Sequence, residues 1–117
     1  MNVEVKISKN FKKEAKVFVK KFPSFLSDLS LLADTLTENP TYGTSLGNNT
    51  YKIRLKIKSK GKGKSGGARI ISFLEHEIIG QIEEENGLII VNLLTIYDKS
   101  DRISISEKEI NNLIDDL

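Results

Sequence analysis

Basic side chains crowd one stretch of the sequence, where eight lysines and arginines occur from Lys52 to Arg69 without a single acid. Its first part, Tyr51–Lys58, alternates between apolar and basic residues, so a strand would carry the two kinds on opposite faces. The basic face would hold Lys52, Arg54, Lys56 and Lys58. Neighbours on that face lie roughly 6.6–6.8 Å apart, close to the spacing of phosphates along a nucleic-acid strand. Because like charges repel each other, the pattern predicts an anionic partner.

The basic stretch continues through a Gly- and Ser-rich segment, Lys60–Gly67, which we expect to form a mobile hairpin loop. Its lysines are further candidates for RNA binding: Lys60, Lys62 and Lys64. The pair Gly66-Gly67 then lets the chain enter a second strand closely. A hairpin centred on this loop places Arg69 opposite Lys56, and therefore on the basic face, because directly opposed residues share a face.

The register also places Phe73 on the basic face. An exposed aromatic ring there could stack a nucleobase, although packing in a core is the more frequent explanation for such a residue. A register slip of one residue would instead bury Arg69 among apolar side chains without a partner, which is costly.

RNA is one such anionic partner, and its cleavage without a metal ion would need a group that removes the 2′-hydroxyl proton, a positive charge for the phosphorane, and an acid for the leaving oxygen. Arg69 suits the phosphate, because a guanidinium binds two oxygens in fixed geometry. Neighbouring cations favour the neutral form of a lysine, so Lys52 or Lys99 could act as base or acid. Arg54 holds its proton too tightly to be a good acid.

Two other side chains are rival bases, Asp98 and His76. We rank His76 last, because flanking acids, Glu75 and Glu77, indicate an exposed position. The run Glu83–Glu85 resembles a metal cluster only superficially, since adjacent side chains of a strand point opposite ways.

Size and composition narrow the class of protein. The 117 residues suit a single domain, 1–117, with one core. There is no cysteine and only one histidine, which excludes disulfides, thiolate nucleophiles and a His-rich metal site. No apolar run reaches the length of a membrane span, and the N-terminus lacks a signal-peptide pattern. We therefore expect a cytoplasmic protein with no metal or cofactor.

Charge divides unevenly along the chain. Residues 1–74 hold 15 basic and 5 acidic residues, and residues 75–117 hold 3 and 11, so charges of +10 and −8 sum to the net +2. This division favours a half that faces nucleic acid over two ordinary solvated faces.

Hydrophobic periodicity predicts an α+β fold. Val3–Ile7 has the alternation of a short edge strand, and Ser8 is a suitable N-cap for a basic amphipathic helix over Phe11–Phe22. That helix is as well explained by solvent exposure as by RNA contact. After Pro23, Ser24 can cap a second helix that ends at about Glu38, before Asn39-Pro40. The two helices would form a hairpin, and Thr41–Asn49 would be a loop.

Three strands and a helix complete the prediction. The strands are Tyr51–Lys58, Ala68–Leu74 with an extension allowed by Ile78, Ile79 and Ile82, and Leu88–Tyr97, which is apolar enough for a central strand covered on both faces. A turn is expected at Glu83–Gly87. Ser106, with Glu109 in a capping box, begins a final helix whose apolar stripe is Ile110, Leu113, Ile114 and Leu117.

This order of elements and four motifs resemble the RelE/HigB toxins of bacterial type II toxin–antitoxin pairs, within the RelE/ParE superfamily. The motifs are FVKKFPSFLSDLSLL, YKIRLKI, KGKGKSGGARII and LLTIYDKSDRISISEKEI, which together span nearly the whole chain. The resemblance implies a small RelE-like fold with an N-terminal strand, a helical hairpin, antiparallel strands and a C-terminal helix. It also implies a metal-independent endoribonuclease that cuts mRNA on the ribosome, contacts ribosomal RNA, and is neutralised by a cognate antitoxin, often a helix-turn-helix protein.

The resemblance also assigns roles to residues. Lys52 and Arg54 occupy positions where RelE-type enzymes have catalytic lysines, and Arg69 matches an arginine that binds the scissile phosphate. Lys99 falls near a later basic residue of the same site. RelE has a catalytic tyrosine near its C-terminus, but the final helix of this chain has none. The nearest aromatic is Tyr97, whose place at the end of a buried strand favours core packing.

Two alternatives remain open at the level of sequence. ParE-type relatives share the fold and act on DNA gyrase, and a non-catalytic RNA-binding module could use the same basic strand. The presence of Arg69 with Lys52 and Arg54 favours the ribonuclease over the gyrase toxin.

Overall fold

A computed structural model of the protein describes residues 2–60, 67–78 and 87–117. Its strands are β1 (Asn2–Ile7), β2 (Thr44–Gly47), β3 (Thr50–Leu55), β4 (Ala68–Ile78) and β5 (Gly87–Asp98). Its helices are α1 (Lys9–Lys21), α2 (Phe25–Glu38) and α3 (Glu107–Asp115), and a 3₁₀ turn follows β3 at Lys58–Lys60.

The strands form one mixed sheet in the order β1-β5-β4-β3-β2. β1 pairs with β5 in parallel, and the other neighbours are antiparallel. This arrangement confirms the predicted α+β class, with its N-terminal strand, helical hairpin, later strands and C-terminal helix. β5 is the predicted apolar strand, and it is buried from Ile90 to Tyr97 because helices cover both of its faces.

Helices α1 and α2 cover one face of the sheet. The core beneath them joins Phe11, Phe18, Phe25, Leu32 and Leu36 of the helices to strand residues that include Ile53, Leu55, Ile70 and Leu93. The hydroxyl of Ser8 accepts a hydrogen bond of 3.0 Å from the backbone N–H of Phe11, as predicted for an N-cap. Ser24 lies at the cap position of α2, but its hydroxyl donates to Asp28 at 2.6 Å and makes no cap bond. The predicted capping role of Ser24 is therefore wrong.

Helix α3 covers the opposite face. Its Ile110 packs with Ile71, Leu94 and Tyr97 in a second, smaller core, and Leu113 and Ile114 lie against it. The predicted capping box is present, since Ser106 and Glu109 bond to each other's backbone N–H groups. Leu117, predicted for the same stripe, is instead exposed.

A β-bulge divides β5 at Leu94. Ile71 pairs with Thr95 and Ser72 pairs with Leu93, so Leu94 is an extra residue. Its carbonyl accepts hydrogen bonds from the side chains of Ser8 and Asn10, at 3.1 and 3.0 Å. The first turn of α1 therefore satisfies the backbone that the bulge removes from the ladder.

Two predicted boundaries differ from the structure near β3. The strand ends at Leu55 rather than Lys58, because the carboxylate of Asp28 accepts from the backbone N–H of Lys58 and the hydroxyl of Ser24 accepts from that of Ser59. These bonds draw the chain towards α2 and out of the extended conformation. The predicted loop Thr41–Asn49 contains β2, which pairs with β3.

Some predictions fall on residues outside the described ranges. They are Lys62 and Lys64 with most of the loop Lys60–Gly67, the run Glu83–Glu85 with its turn, and the proposed strand residues Ile79 and Ile82. Within the described ranges, no helix is long and apolar enough to cross a membrane.

Candidate active site

A groove of about 690 Å³ opens on the α3 face of the sheet and contains all four residues predicted to be catalytic. Lys52 and Arg54 enter it from β3, Arg69 from β4, and Lys99 from the residue after the end of β5. The remaining wall is formed by Tyr42, Gly43, Thr44, Leu46 and Ile103. We call this the basic groove.

Arg69 lies deepest among the four cations, with only 6% of its surface exposed. It pairs directly with Arg54 rather than with Lys56, so the predicted partner is wrong, although the predicted face is correct. The two registers differ by two residues, and a shift of two leaves a strand residue on the same face. Two guanidinium groups therefore lie on directly opposed positions of neighbouring strands, where like charges destabilise the pair.

The charge of Arg69 has no carboxylate partner within 4.0 Å in the described part of the chain. Its one hydrogen bond to a described residue runs from Nη1 to the carbonyl of Ala68 at 3.3 Å, although a guanidinium offers five N–H donors. A buried charge with so few partners is costly. The arrangement therefore favours an anion that would use the remaining donors.

Gly67 brings Arg69 to this position. Its φ of +108° belongs to the region that favours glycine, and a Cβ there would collide with the carbonyl oxygen of Leu55. The chain therefore enters β4 in close contact with the end of β3, as the sequence predicts for this glycine.

The bulge in β5 brings Lys99 to the same side. Leu93 lies in the core under α1 and α2, whereas Tyr97, four residues later, lies in the core under α3. In a regular strand, two residues separated by an even number of positions point to the same face of the sheet. Leu93 and Tyr97 are four positions apart yet point to opposite faces, because the extra residue of the bulge lies between them. Lys99, two residues beyond Tyr97, consequently reaches the basic groove.

Tyr97 packs in the second core, as the sequence indicates. It lies opposite Arg69, beneath Arg102, whose guanidinium carbon is 5.4 Å from the ring centre. Burial raises the pKa of Tyr97, and the positive charges of Arg102 and Arg69 only partly oppose this effect. Its hydroxyl makes no hydrogen bond to a described residue. A phenol with a raised pKa is a weak candidate for a general base.

Asp98 is engaged by other groups and is also poorly suited to act as a base. Lys60 donates to its Oδ1 at 2.7 Å, and the backbone and hydroxyl of Ser100 donate at 2.9 Å each. Burial alone would raise the pKa of the Asp98 carboxyl, but these hydrogen bonds outweigh it and leave the pKa below its ordinary value. Lys60, predicted to bind RNA, is held in this ion pair.

The other predicted site residues are dispersed. Lys56 and Lys58 are exposed and line a neighbouring cavity instead of the basic groove. Phe73 is half-buried against the second core and does not line the groove. His76 is exposed on β4, seven residues from Arg69, or roughly 23 Å along an extended strand.

Sequence reasoning missed the wall contributed by Tyr42 and β2. The signal for it is Asn48-Asn49, whose φ values of 51° and 62° form a turn between β2 and β3. Asparagine is among the residues that favour such two-residue hairpin turns, and its repetition here marks a hairpin that places Leu46 and Thr44 beside the groove.

The chemistry available in the groove follows from its cations. Its described lining includes no carboxylate and no imidazole, so proton transfer there would depend on the amines of Lys52 and Lys99 or the phenol of Tyr42. Lys52 is half-buried beside Arg54 and Lys99 is exposed. The described residues contain no group of three or more His, Asp or Glu side chains that could hold a metal ion. This arrangement can bind a phosphodiester and stabilise additional negative charge on it.

Comparisons with known proteins add no further assignment. The chain matches no protein-family model, and no curated protein is similar to it at a significant level.

Proposed function

We propose that the chain is a RelE/HigB-like toxin, a metal-independent endoribonuclease that cuts mRNA on the ribosome and so inhibits translation in the cytoplasm. The observation that carries the proposal is Arg69, a buried guanidinium without a carboxylate partner among the described residues, in a groove shared with Lys52, Arg54 and Lys99. An arginine that served only to keep the protein soluble would be exposed to solvent. A buried guanidinium lowers the stability of the fold unless an anion binds to it.

In this mechanism Arg69 binds the scissile phosphate, and its charge stabilises the phosphorane that forms when the 2′-hydroxyl attacks. Arg54, on the opposed strand position, adds a second charge to the same region. Lys52 and Lys99 would exchange protons with the attacking and leaving oxygens, because their amines, unlike the guanidinium groups of Arg54 and Arg69, can both gain and lose a proton. Ribosomal RNA and a helix-turn-helix antitoxin are the expected macromolecular partners.

A non-catalytic RNA-binding module is the second candidate. The groove's described lining has cations but no carboxylate or imidazole, which favours binding over proton transfer. A toxin that acts on gyrase has no comparable support, because a groove of four cations is explained more directly by a phosphodiester.

Primer-extension mapping of cellular mRNA after brief expression tests the proposal. We expect new 5′ ends within translated regions with the native protein and none with Arg69→Ala. DNA breaks without new RNA ends would support the gyrase alternative. Two outcomes would support the binding module and contradict the ribonuclease. One is growth arrest without new RNA ends or DNA breaks, and the other is RNA binding without growth arrest.

A further inference from the structure

A second cavity adjoins the basic groove and shares two of its residues. It has a volume of about 210 Å³, lies between α2 and the end of β3, and is lined by Asp28, Leu31, Leu32, Thr35, Tyr42, Arg54, Leu55, Lys56 and Lys58. Tyr42 and Arg54 line both cavities. The two cavities therefore meet at Tyr42 and Arg54, with Arg69 in the basic groove on one side of this shared wall and Lys56 and Lys58 in the second cavity on the other.

A closed turn before Tyr42 and a constrained glycine after it fix the backbone at this position. Its backbone N–H donates to the carbonyl of Asn39 at 3.1 Å, which closes a turn that contains Pro40. The next residue, Gly43, has a φ of +114°, and a Cβ there would lie 2.6 Å from the carbonyl oxygen of Lys52. The backbone is therefore fixed on both sides of Tyr42, and 40% of the residue is exposed. A tyrosine on a fixed backbone has only two side-chain torsions to restrict, so it loses little conformational entropy when it binds a flat partner.

Charge in the second cavity is also positive. Arg54, Lys56 and Lys58 outnumber Asp28, which is 3% exposed and whose Oδ2 already accepts from the hydroxyl of Ser24 and the backbone of Lys58. Cations spaced along a groove beside an exposed aromatic ring suit a single nucleic-acid strand, whose phosphates and base faces alternate. An acidic peptide would use the cations but would offer Tyr42 an aromatic surface only where its own sequence supplied one, whereas every nucleotide carries a base.

We propose that the shared wall is a nucleotide subsite for single-stranded RNA. Tyr42 stacks one base, Arg54 holds the adjacent phosphate, and the strand continues over the edge of the sheet to Lys56 and Lys58. This inference takes its choice of RNA from the proposed function. It extends that function by fixing the path of the strand and by requiring an unpaired base beside the phosphate site.

The test compares the affinities of the protein for two short strands of equal length. One is a 2′-O-methyl RNA, which cannot be cleaved, and the other has the same phosphates but abasic sugars in place of nucleotides. We expect the native protein to bind the complete strand roughly 5- to 150-fold more tightly than the abasic strand, which is the usual contribution of one stacked base. Tyr42→Ala should lose this preference by weakening only the binding of the complete strand. Tyr42→Phe should retain it.

The matched control is Leu26→Ala. Leu26 is an exposed apolar residue of α2 that lines neither cavity. The variant should leave both affinities unchanged. The inference is overturned if Tyr42→Ala keeps the preference for bases, or if the native protein binds both strands equally, as a groove for an acidic peptide would. The binding test does not depend on cleavage, because its strand cannot be cut. If the protein preferred the complete strand through Tyr42 but cleaved no mRNA, the result would contradict the proposed ribonuclease activity and leave the nucleotide subsite intact.

Discussion

Arg69 keeps a positive charge where only 6% of the residue reaches solvent, opposite Arg54 and without a carboxylate partner in the described ranges. A charge in that environment weakens the fold unless an anion binds to it. Functional sites commonly retain such unfavourable groups, and their replacement then trades activity for stability.

We therefore expect Arg69→Met to be more stable than the native protein. Methionine retains the apolar stem and removes the buried charge, so the free energy of unfolding should rise by on the order of 1–3 kcal/mol. Thermal unfolding measures the change, with Arg54→Met for comparison: Arg54 is exposed, so its replacement relieves only the repulsion within the opposed pair and should raise stability by less. A marked loss of stability in Arg69→Met would mean that the guanidinium is already paired in the free protein.

At the residue scale, the alternation of Tyr51–Lys58 correctly predicts that Lys52 and Arg54 share a face with Arg69, but not that Lys56 and Lys58 leave it. It was insufficient to predict the opposed residue, because the chain leaves β3 at Leu55 and turns towards Asp28. That turn depends on a contact thirty residues away along the chain, and periodicity contains no information about it.

Glycine at the start of β4 sets the distance between β3 and β4. Gly67 and Gly47 both have positive φ, at +108° and +87°, but a Cβ meets the Leu55 carbonyl at Gly67 and nothing within 4 Å at Gly47. Gly47→Ala should therefore cost only the strain of its backbone, about 1–2 kcal/mol. Gly67→Ala should cost more and also weaken RNA binding by displacing Arg69. Denaturant unfolding of the two variants measures the difference, and equal losses would contradict the close approach.

The ion pair between Lys60 and Asp98 ties the connection between β3 and β4 to the end of β5. Its atoms are 2.7 Å apart, and the two side chains are 21% and 12% exposed. The pKa of the Asp98 carboxyl is lower in the folded protein, so the pair contributes stability above the unfolded value near 3.9 and loses it as the pH falls through the lowered value.

Lys60→Met should accordingly be less stable at neutral pH, by on the order of 1–2 kcal/mol. The difference from the native protein should begin to shrink as the pH is lowered below about 4 and should vanish once the pH is below the lowered pKa of Asp98, because the carboxyl is then protonated in both proteins. Chemical denaturation across this pH range provides the measurement. Arg102→Met, which breaks a more exposed pair with Glu109, is the control and should show a smaller effect. A difference that stays constant into acid would show that the pair does not stabilise the fold.

At the element scale, the two helices of the hairpin, the central strand and the terminal helix could be predicted from periodicity and capping residues. The bulge at Leu94 could not, because the residues that satisfy it, Ser8 and Asn10, lie more than eighty positions away. Lys99 reaches the groove only because of that bulge. Lys99 therefore lies beside the other three predicted residues for a reason that the local sequence does not reveal.

The whole molecule separates its basic surfaces onto two faces of the sheet. The lysines of α1 lie on the face covered by the helical hairpin, and the basic groove lies on the face covered by α3. Composition alone does not distinguish these surfaces, since both belong to the basic half of the chain. Only the burial of Arg69 marks one of them as a site.

Salt dependence of RNA binding can separate the two faces. Replacing Lys52, Arg54 and Lys56 with Gln should weaken binding and flatten the log–log salt slope by up to about 2, since each phosphate contact on a single strand contributes roughly 0.7. The control variant removes the same number of charges from α1, by replacing Lys12, Lys16 and Lys20 with Gln. It should change the salt slope much less. Binding titrations at several salt concentrations give the slopes, and equal changes in both variants would indicate non-specific attraction to the whole basic half.

The most direct measurement is the single-turnover rate of mRNA cleavage on purified, programmed ribosomes. We expect Arg69→Ala to cleave about 100- to 1000-fold more slowly than the native protein, which corresponds to a loss of about 2.7–4 kcal/mol of transition-state stabilisation. Arg102→Ala, which removes an arginine paired with Glu109 outside the groove, should cleave at close to the native rate. Cleavage by Arg69→Ala at the native rate, or no cleavage by the native protein, would contradict the assignment of the basic groove as a ribonuclease site.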